Sequence, residues 1–600
     1  MSSRLFGAVS MPAPLPSPAR VLERARAPSL ARAGVPELTL APPLALTRAL
    51  LLTLTRSLAM LLPLLLSGCV SLKAIEGDAI VQEAMDQEAS DDQATLQQVN
   101  RSESWAITDP GRTPLGKRVQ RLVSHQPAGQ SGFLLLDKGE EALLWRGMLA
   151  DQASRTIDTQ YFIWYQDNVG KIAAERLLRA AERGVRVRVI VDEISLDADP
   201  RFLALLNDHP QVEIRLYNPV GSLGLGTLGK LARILGSMGD FPRLNRRMHN
   251  KTFIVDGSLA ILGGRNVADE YYDLNHQFNF RDLDVLALGP VVPQVSRSFD
   301  EYWNDPWVVP LEAVVQIPIT PAQRAAYYRE LHHYAAQPEH FPPRFNSGLA
   351  ATATRFQALK AADLYWGQAR LIYDRPGKNA EVDRYDAFGE SGRQLTELAR
   401  GARQEVVAAT PYLIMLPGTY RLLEELRERN VRVAIVTNSM AANDAIWVHS
   451  RYAFQRRRLL GMGIELFEYR GDAEDQPLLI DRYHRMPAKI PLVLHAKALV
   501  IDRQVVYIGS FNMDPRSTHL NTEIGLIIES PPLAQAVAAL IERDMAPHNS
   551  WRLELTAEGK MEWVTRREGR LVRVEAEPDI GVGEALKFLL LAILPIGELI

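Results

Sequence analysis

Two stretches of this 600-residue chain repeat each other at a fixed interval. GVRVRVIVD, starting at Gly184, is matched by NVRVAIVTN, starting at Asn430; His249 is matched by His495, and Asn266 by Asn512. In each pair the partners are 246 residues apart. Three independent features at one interval indicate an internal duplication. Six hundred residues also exceed what one hydrophobic core holds. The chain is therefore expected to fold as two lobes of one kind, not as two unrelated domains.

Local patterning gives those lobes a class. Glu140–Gln152 has helical spacing and Thr156–Trp164 reads as a strand. Residues 170–183 form an amphipathic helix closed by Gly184, and Val185–Val191 is a second strand. The order recurs with Val406–Met415 as strand, 418–429 as helix and Val431–Val436 as strand. Strand, helix, strand implies an α/β fold. We expect two pseudo-twofold-related lobes, each a mixed sheet flanked by helices, sharing one active site. The expected segments are a low-complexity extension (1–45), a signal segment (46–68), a polar tether (69–131), lobe 1 (132–319), a helical connector (320–368), lobe 2 (369–575) and a tail (576–600).

The single cysteine, Cys69, excludes an intramolecular disulfide, a cysteine zinc cage and a redox pair. Its setting is informative. Arg56 precedes the short apolar run SLAMLLPLLL, which ends in Leu66-Ser67-Gly68-Cys69. A charged start, a compact apolar centre and small residues before the cut describe a secretory signal. The competing reading is a plain membrane anchor, for which the run is short. Residues 1–45, rich in Ala, Pro and Arg, fit neither reading, and translation starting near Leu46 would remove them. Near the other end, Leu586–Ile600 is apolar, interrupted by Pro595 and too short to span a bilayer unaided.

The repeat carries its chemistry in His249-Asn250-Lys251 with Asp256 and in His495-Ala496-Lys497 with Asp502. Each motif reads as a strand entering a tight turn, so that His and Lys two residues apart share a face. A return strand then brings Asn266 or Asn512 to the same end. Displacement at phosphorus is in line, so groups are needed on both sides of the phosphate. One neutral histidine attacks to form a phosphohistidine, and the other protonates the departing alkoxide. Lys251, Lys497, Asn266, Asn512 and Ser510 would neutralise and orient the non-bridging oxygens. Neither a metal nor another cofactor is expected. Each histidine also needs an acceptor on its far nitrogen; Asp282 or Asp284 and Glu523, just downstream of the motifs, are the candidates. Asp256 and Asp502 complete the six-residue motif set, although their places suit holding strand and turn geometry better than touching substrate. Arg243, Arg246 and Arg247 read either as a solvated basic patch or as an anion contact. His449, with Trp447 and Tyr452 nearby, reads as packing rather than recognition.

These residues resemble the phospholipase D superfamily, whose mark is a duplicated His-Lys-Asp element followed by Gly-x-x-Asn. The resemblance covers about residues 132–575. NRRMHNKTFIVDG, RDLDV, TNSMAANDAIWVHSRY and LHAKALVIDRQVVYIGSFNMDPRS are similar to bacterial cardiolipin synthase C-like proteins. The resemblance implies phosphatidyl transfer between phospholipids, making cardiolipin from phosphatidylglycerol or phosphatidylethanolamine. It also makes His249 the nucleophile and His495 the acid and base. Gly264 departs from the superfamily's serine, which leaves that hydroxyl to lobe 2 alone. Leu66–Cys69 resembles a lipobox, implying acylation at Cys69. With Val70 following it, the expected location is the outer membrane of a bacterial envelope, periplasmic side. A phospholipid membrane is the expected partner, and an accessory protein is left open.

Three other functions compete with this one. Phospholipase D-type hydrolysis differs only in whether water or an alcohol takes the second step. A nuclease is disfavoured by a net charge of −3 and by the lack of an evident aromatic–basic stripe. A lipid-binding protein without activity would leave two intact motifs unexplained.

Overall fold

The computed structural model describes residues 102–219, 241–340, 345–380, 388–480, 490–581 and 583, all within one compact unit, Ala89–Ile600. Cys69, residues 1–68 and the apolar stretch Leu586–Ile600 lie outside the described residues.

In lobe 1 the sheet strands are β1 (Gln130–Leu136), β2 (Thr156–Tyr161), β3 (Arg186–Asp192), β4 (Val212–Tyr217), β5 (Thr252–Val255), β6 (Leu259–Gly263) and β7 (Asp284–Leu288). Lobe 2 supplies β8 (Tyr365–Tyr373), β9 (Glu405–Ala409), β10 (Arg432–Asn438), β11 (Glu465–Tyr469), β12 (Ala498–Ile501), β13 (Val505–Gly509) and β14 (Ile524–Glu529). The pairings run β4-β3-β2-β5-β6-β7-β1 and then, from the centre outward, β8-β14-β13-β12-β9-β10-β11. The second lobe thus retraces the first in mirror order. The antiparallel junction of β1 with β8, Phe133 opposite Tyr365, lies where the pseudo-twofold relation requires it. In lobe 1 β4, β3 and β2 are parallel to one another, as are β9, β10 and β11 in lobe 2, and the other pairings are antiparallel, so the sheet is mixed.

The helices follow from their sequences. In lobe 1, α1 is Gly139–Gln152 and α2 is Asn168–Glu182. Asp167 caps α2 by accepting from Gly170 N at 2.9 Å, which is worth about 1 kcal/mol. Val169, Ile172, Leu177, Leu178 and Ala181 form its buried stripe, and Gly184, at φ +88°, takes the left-handed conformation that ends the run. Helix α3 is Val292–Trp303. In lobe 2, α4 is Glu390–Arg400, α5 is Pro417–Glu428, α6 is Ile446–Gly461 and α7 is Pro531–Asp544. Val292, Val295 and Phe299 of α3 share one buried cluster with Leu533, Val537 and Ile541 of α7 and with strand residues of both lobes. The lobes are therefore joined through a common core as well as a common sheet. Among the described residues no helix is long and apolar enough to cross a membrane.

Several expected boundaries differ. The strand read over Thr156–Trp164 leaves the sheet at Tyr161, and Trp164–Tyr165 pairs instead with Leu196–Asp197. The strand read over Val406–Met415 stops at Ala409; Pro411, which has no N–H to donate, follows within two residues. The connector is helical over Pro321–Ala336 and Phe345–Ala358, but β8 begins at Tyr365 and straddles the expected limit at 368. The polar tether is part of the fold from residue 102. Leu115, Val119 and Leu122 of the helix Pro114–Val123 are buried, and Arg188 and Arg215 donate to Ser104 O and Ser102 O.

Candidate active site

The motif histidines precede their strands instead of sitting in them: β5 starts at Thr252 and β12 at Ala498. What holds each histidine is the opposite lobe. His249 N donates to Thr522 O at 2.9 Å, and Thr522 N returns a bond to Arg247 O at 2.9 Å. His495 N donates to Arg281 O at 2.7 Å, at the end of a parallel pairing of Leu492–Leu494 with Asn279–Arg281.

These backbone ties carry the side-chain chemistry across the pseudo-twofold. His249 Nδ1 lies 2.9 Å from Glu523 Oε2, and His495 Nδ1 lies 2.6 Å from Asp282 Oδ2. The carboxylate downstream of each motif thus serves the histidine of the other. With Nδ1 engaged in this way, Nε2 is the atom each ring can offer a substrate, and that of His495 is met by Lys497. Lys497 Nζ lies 2.9 and 3.0 Å from the two ring nitrogens of His495, so an anion reaching that ring meets the ammonium at the same time. Lys251 Nζ donates to His249 O at 2.6 Å, and Lys497 Nζ to His495 O at 2.6 Å.

Burial sets the charge states. His249 is held well below its usual value by burial and by Lys251 and Lys497. His495 is lowered to about 4 by burial and Lys497, against the pull of Asp282. Both imidazoles are therefore neutral at pH 7 without substrate. Burial lowers Lys497 to about 8, offset by Asp282 and Asp444, and carries Lys251 well below an ordinary lysine. The two carboxyls diverge. Burial pushes Asp282 up, but the His495 charge and hydrogen bond and then Lys497 bring it down to about 2. Burial pushes Glu523 above the usual carboxylate range, while Lys251 and the hydroxyls of Ser510 and Ser517 favour its ionised, accepting form.

Asp256 and Asp502 are not in this cluster, which corrects their place in the motif set. The Asp256 carboxylate accepts from the N–H groups of Ser154, Arg155 and Thr156 and from Ser154 Oγ. Asp502 accepts from the N–H groups of Arg403, Gln404 and Glu405. Both residues have φ +50°, and with Gly257 (φ +56°) and Arg503 (φ +52°) they form the two-residue turns that start the return strands. Their work is local architecture.

Other expected roles shift as well. Asp284 binds Arg146 Nη2 at 2.8 Å and Arg265 N at 3.2 Å, not a histidine. Ser510 Oγ donates to Glu523 Oε2 at 2.5 Å, so its hydroxyl steadies the carboxylate behind His249 instead of facing a phosphate. Asn266 accepts from Ile163 N at 3.1 Å and donates to Tyr271 OH at 2.8 Å, which ties up both ends of its amide. Asn512 is different: its Oδ1 is buried and has no hydrogen-bond partner among the described residues, so this amide keeps capacity for substrate. The arginine cluster is not a solvated patch. Arg246 and Arg247 are buried; Arg246 donates to Asn379 O, and Arg247 to Asn218 O.

The sequence reading missed the groups packed around the rings. Phe162 meets His249 edge-on with centroids 5.1 Å apart, while Tyr271 and Phe280 lie 5.2 and 4.6 Å from His495. Ser517 Oγ donates to Glu523 Oε1 at 2.6 Å. Asp374 and Lys378 were missed too. Their buried ion pair (2.9 Å), just after β8, holds Glu523 N and Ser517 O.

One catalytic centre assembled from two copies of a His-Lys element, each imidazole held by a carboxylate of the opposite copy, defines a phosphodiester-cleaving enzyme of the two-lobed, histidine-based kind. Comparison with known proteins agrees. The family model "Cardiolipin synthase, PLD-like domain" matches residues 148–303 and 395–545, and the chain belongs to that family of the phospholipase D superfamily. It is 36% identical to "Cardiolipin synthase C" of Escherichia coli (strain K12), over 81% of this chain and 99% of that protein. It is 30% identical to an "Uncharacterized protein" of Helicobacter pylori (strain ATCC 700392 / 26695), covering 78% and 90% of the two chains. To "Cardiolipin synthase B" of Escherichia coli (strain K12) it is 25% identical, covering 70% and 84%.

Proposed function

We propose that this enzyme transfers a phosphatidyl group between phospholipids, making cardiolipin with phosphatidylglycerol or phosphatidylethanolamine as donor. The observation that carries the reading is the crossed His249–Glu523 and His495–Asp282 pairing around two rings that both feel the charge of Lys497. Nε2 of His249 attacks phosphorus as the bond to the departing alcohol breaks. The anionic diester raises the proton affinity of His495, whose protonated Nε2 gives that proton to the alkoxide. In the second step the acceptor's hydroxyl returns a proton to His495 while its oxygen displaces His249. Lys251, Lys497 and Asn512 hold the non-bridging oxygens. The cardiolipin synthases among the relatives support the lipid substrate.

The alternative is hydrolysis, in which water takes the second step. Vesicles of phosphatidylglycerol and phosphatidylethanolamine, each labelled in turn, separate the two readings. Labelled cardiolipin supports transfer and names the donor, whereas phosphatidic acid alone makes the enzyme a hydrolase. Cleavage of nucleic acid with neither lipid touched would remove the lipid reading altogether. We further propose that Cys69 is acylated and tethers the chain to the outer membrane of a bacterial envelope. The motif Leu66–Cys69 supports this, and the mass of the mature N-terminal peptide tests it.

A further inference from the structure

Helix α6 is turned inward by one set of residues and outward by another. Val448, His449, Tyr452, Arg456 and Leu459 are buried. Arg456 reaches Glu468 at 2.7 Å and Glu577 at 2.6 Å, and donates to His449 Nε2 at 2.7 Å, so the inner face is fastened by a charged network. The outer face is of another kind. Trp447, Arg451, Phe454 and Arg458 fall within about 60° of one another at 3.6 residues per turn. Trp447 is 37% exposed and Phe454 67%, the highest among the exposed large apolar side chains. Arg451 is half-buried, and Arg458 is exposed with its guanidinium 3.6 Å from the Tyr420 ring centroid, so Arg458 carries most of the charge this face presents. The sequence shows no evident aromatic–basic stripe, and this face, which helix periodicity brings together, is a short one.

The segment leading into α6 starts beside the catalytic groups. Asn438, which ends β10, clasps both N and O of Leu494 at 2.8 Å, next to His495. The chain then runs through Asp444, whose carboxylate accepts from Tyr412 OH at 2.7 Å and bears electrostatically on His495 and Lys497, into the first turn of α6.

We propose that the outer face of α6 seats the enzyme on a bilayer surface containing anionic phospholipid, with Trp447 beside the mouth of the site. This rests on the phospholipid reading above. Tryptophan and phenylalanine rings enter the interface between headgroups and acyl chains, while arginines on the same face bind the anionic headgroups. The net charge of −3 opposes both anionic occupants alike, and the phospholipid reading favours the bilayer over a nucleic acid.

The test uses the full chain. With vesicles of phosphatidylethanolamine and phosphatidylglycerol carrying brominated acyl chains, tryptophan quenching is compared between wild type and Trp447→Phe, the chain having nine tryptophans. Quenching that Trp447→Phe loses, and that vesicles of phosphatidylcholine do not produce, is the expected result; identical quenching overturns the proposal. In parallel, Phe454→Ser/Arg458→Glu is assayed on phosphatidylglycerol in vesicles and on a water-soluble short-chain analogue. The ratio of the two rates should fall about tenfold or more, since 1.4 kcal/mol is a factor of ten. An unchanged ratio, including equal loss on both substrates through misfolding, counts against it. A stripe variant that converts a dimer to a monomer, or single-stranded DNA that abolishes the Trp447 quenching, would assign the face to a second copy or to nucleic acid instead. If wild type turns over neither lipid, the functional reading fails while the quenching result still decides the face.

Discussion

Nδ1 of His495 and Oδ2 of Asp282 lie 2.6 Å apart although they belong to different lobes, and His249 with Glu523 repeats the relation in reverse. Each half of the duplicated chain therefore contains a histidine it cannot orient by itself.

Asp282→Asn and Glu523→Gln should each keep the fold and lower kcat, while KM changes only a few-fold. A loss of about 10²–10⁴ is expected, since removing the partner of a catalytic imidazole lets it adopt the wrong tautomer. Steady-state kinetics on phosphatidylglycerol check this. A loss confined to KM would mean that the carboxylates bind substrate instead.

The turn aspartates should behave differently. Asp256→Ala strands three backbone N–H groups at the start of β2, of which Thr156 N is buried, and a buried unsatisfied donor costs about 1–3 kcal/mol. Urea titration should show a stability loss of that order or larger, while kcat per folded molecule stays within a few-fold of wild type. A folded but inactive Asp256→Asn enzyme would return this residue to the catalytic set.

Position 264 is sensitive to size. A Cβ there would come within 2.1 Å of Asp282 Oδ1. Gly264→Ser, which restores the residue usual in the superfamily, should displace the carboxylate behind His495 and lower kcat about tenfold or more, with Tm little changed. Its counterpart Ser510→Ala removes one of the donors on Glu523 and should cost less. Comparing kcat of the two variants decides the point, and an active Gly264→Ser enzyme would show that Asp282 can be moved without penalty.

The alkaline side of the pH profile should belong to Lys497. Its folded value, about 8, is below that of an ordinary lysine, so its charge is present below pH 8 and lost as the pH rises through that value. Affinity for the phosphodiester, and with it kcat/KM, should fall above pH 8. Lys497→Arg stays charged at any accessible pH and should lose this limb, whatever its overall rate. A limb that survives the substitution would belong to another group.

The duplication, the α/β class and the meeting of both motifs were legible because they depend on spacing and strand periodicity, which are local properties. The crossing of the carboxylates was not. Asp282 and Glu523 follow their own motifs in sequence, and only the pairing of Asn279–Arg281 with Leu492–Leu494 and the tie of His249 to Thr522 send them to the opposite histidine. Ser510 read as a phosphate donor because a hydroxyl in a Gly-Ser-x-Asn turn gives no sign of a buried carboxylate behind it. Asp374 and Lys378 carried no signal either, since they lie outside the repeat and act through the backbone of residues more than a hundred positions away.

The most direct measurement is single-turnover kinetics on a phosphatidyl ester of p-nitrophenol, whose leaving group needs no proton, with the phosphorus labelled. His495→Ala should release about one equivalent of p-nitrophenolate in a burst and retain the label on the peptide containing His249, because the base for the second step is missing. His249→Ala should give neither burst nor label. A label on His495, or a burst that survives His249→Ala, would contradict the assignment of His249 as the nucleophile of a site shared by both lobes.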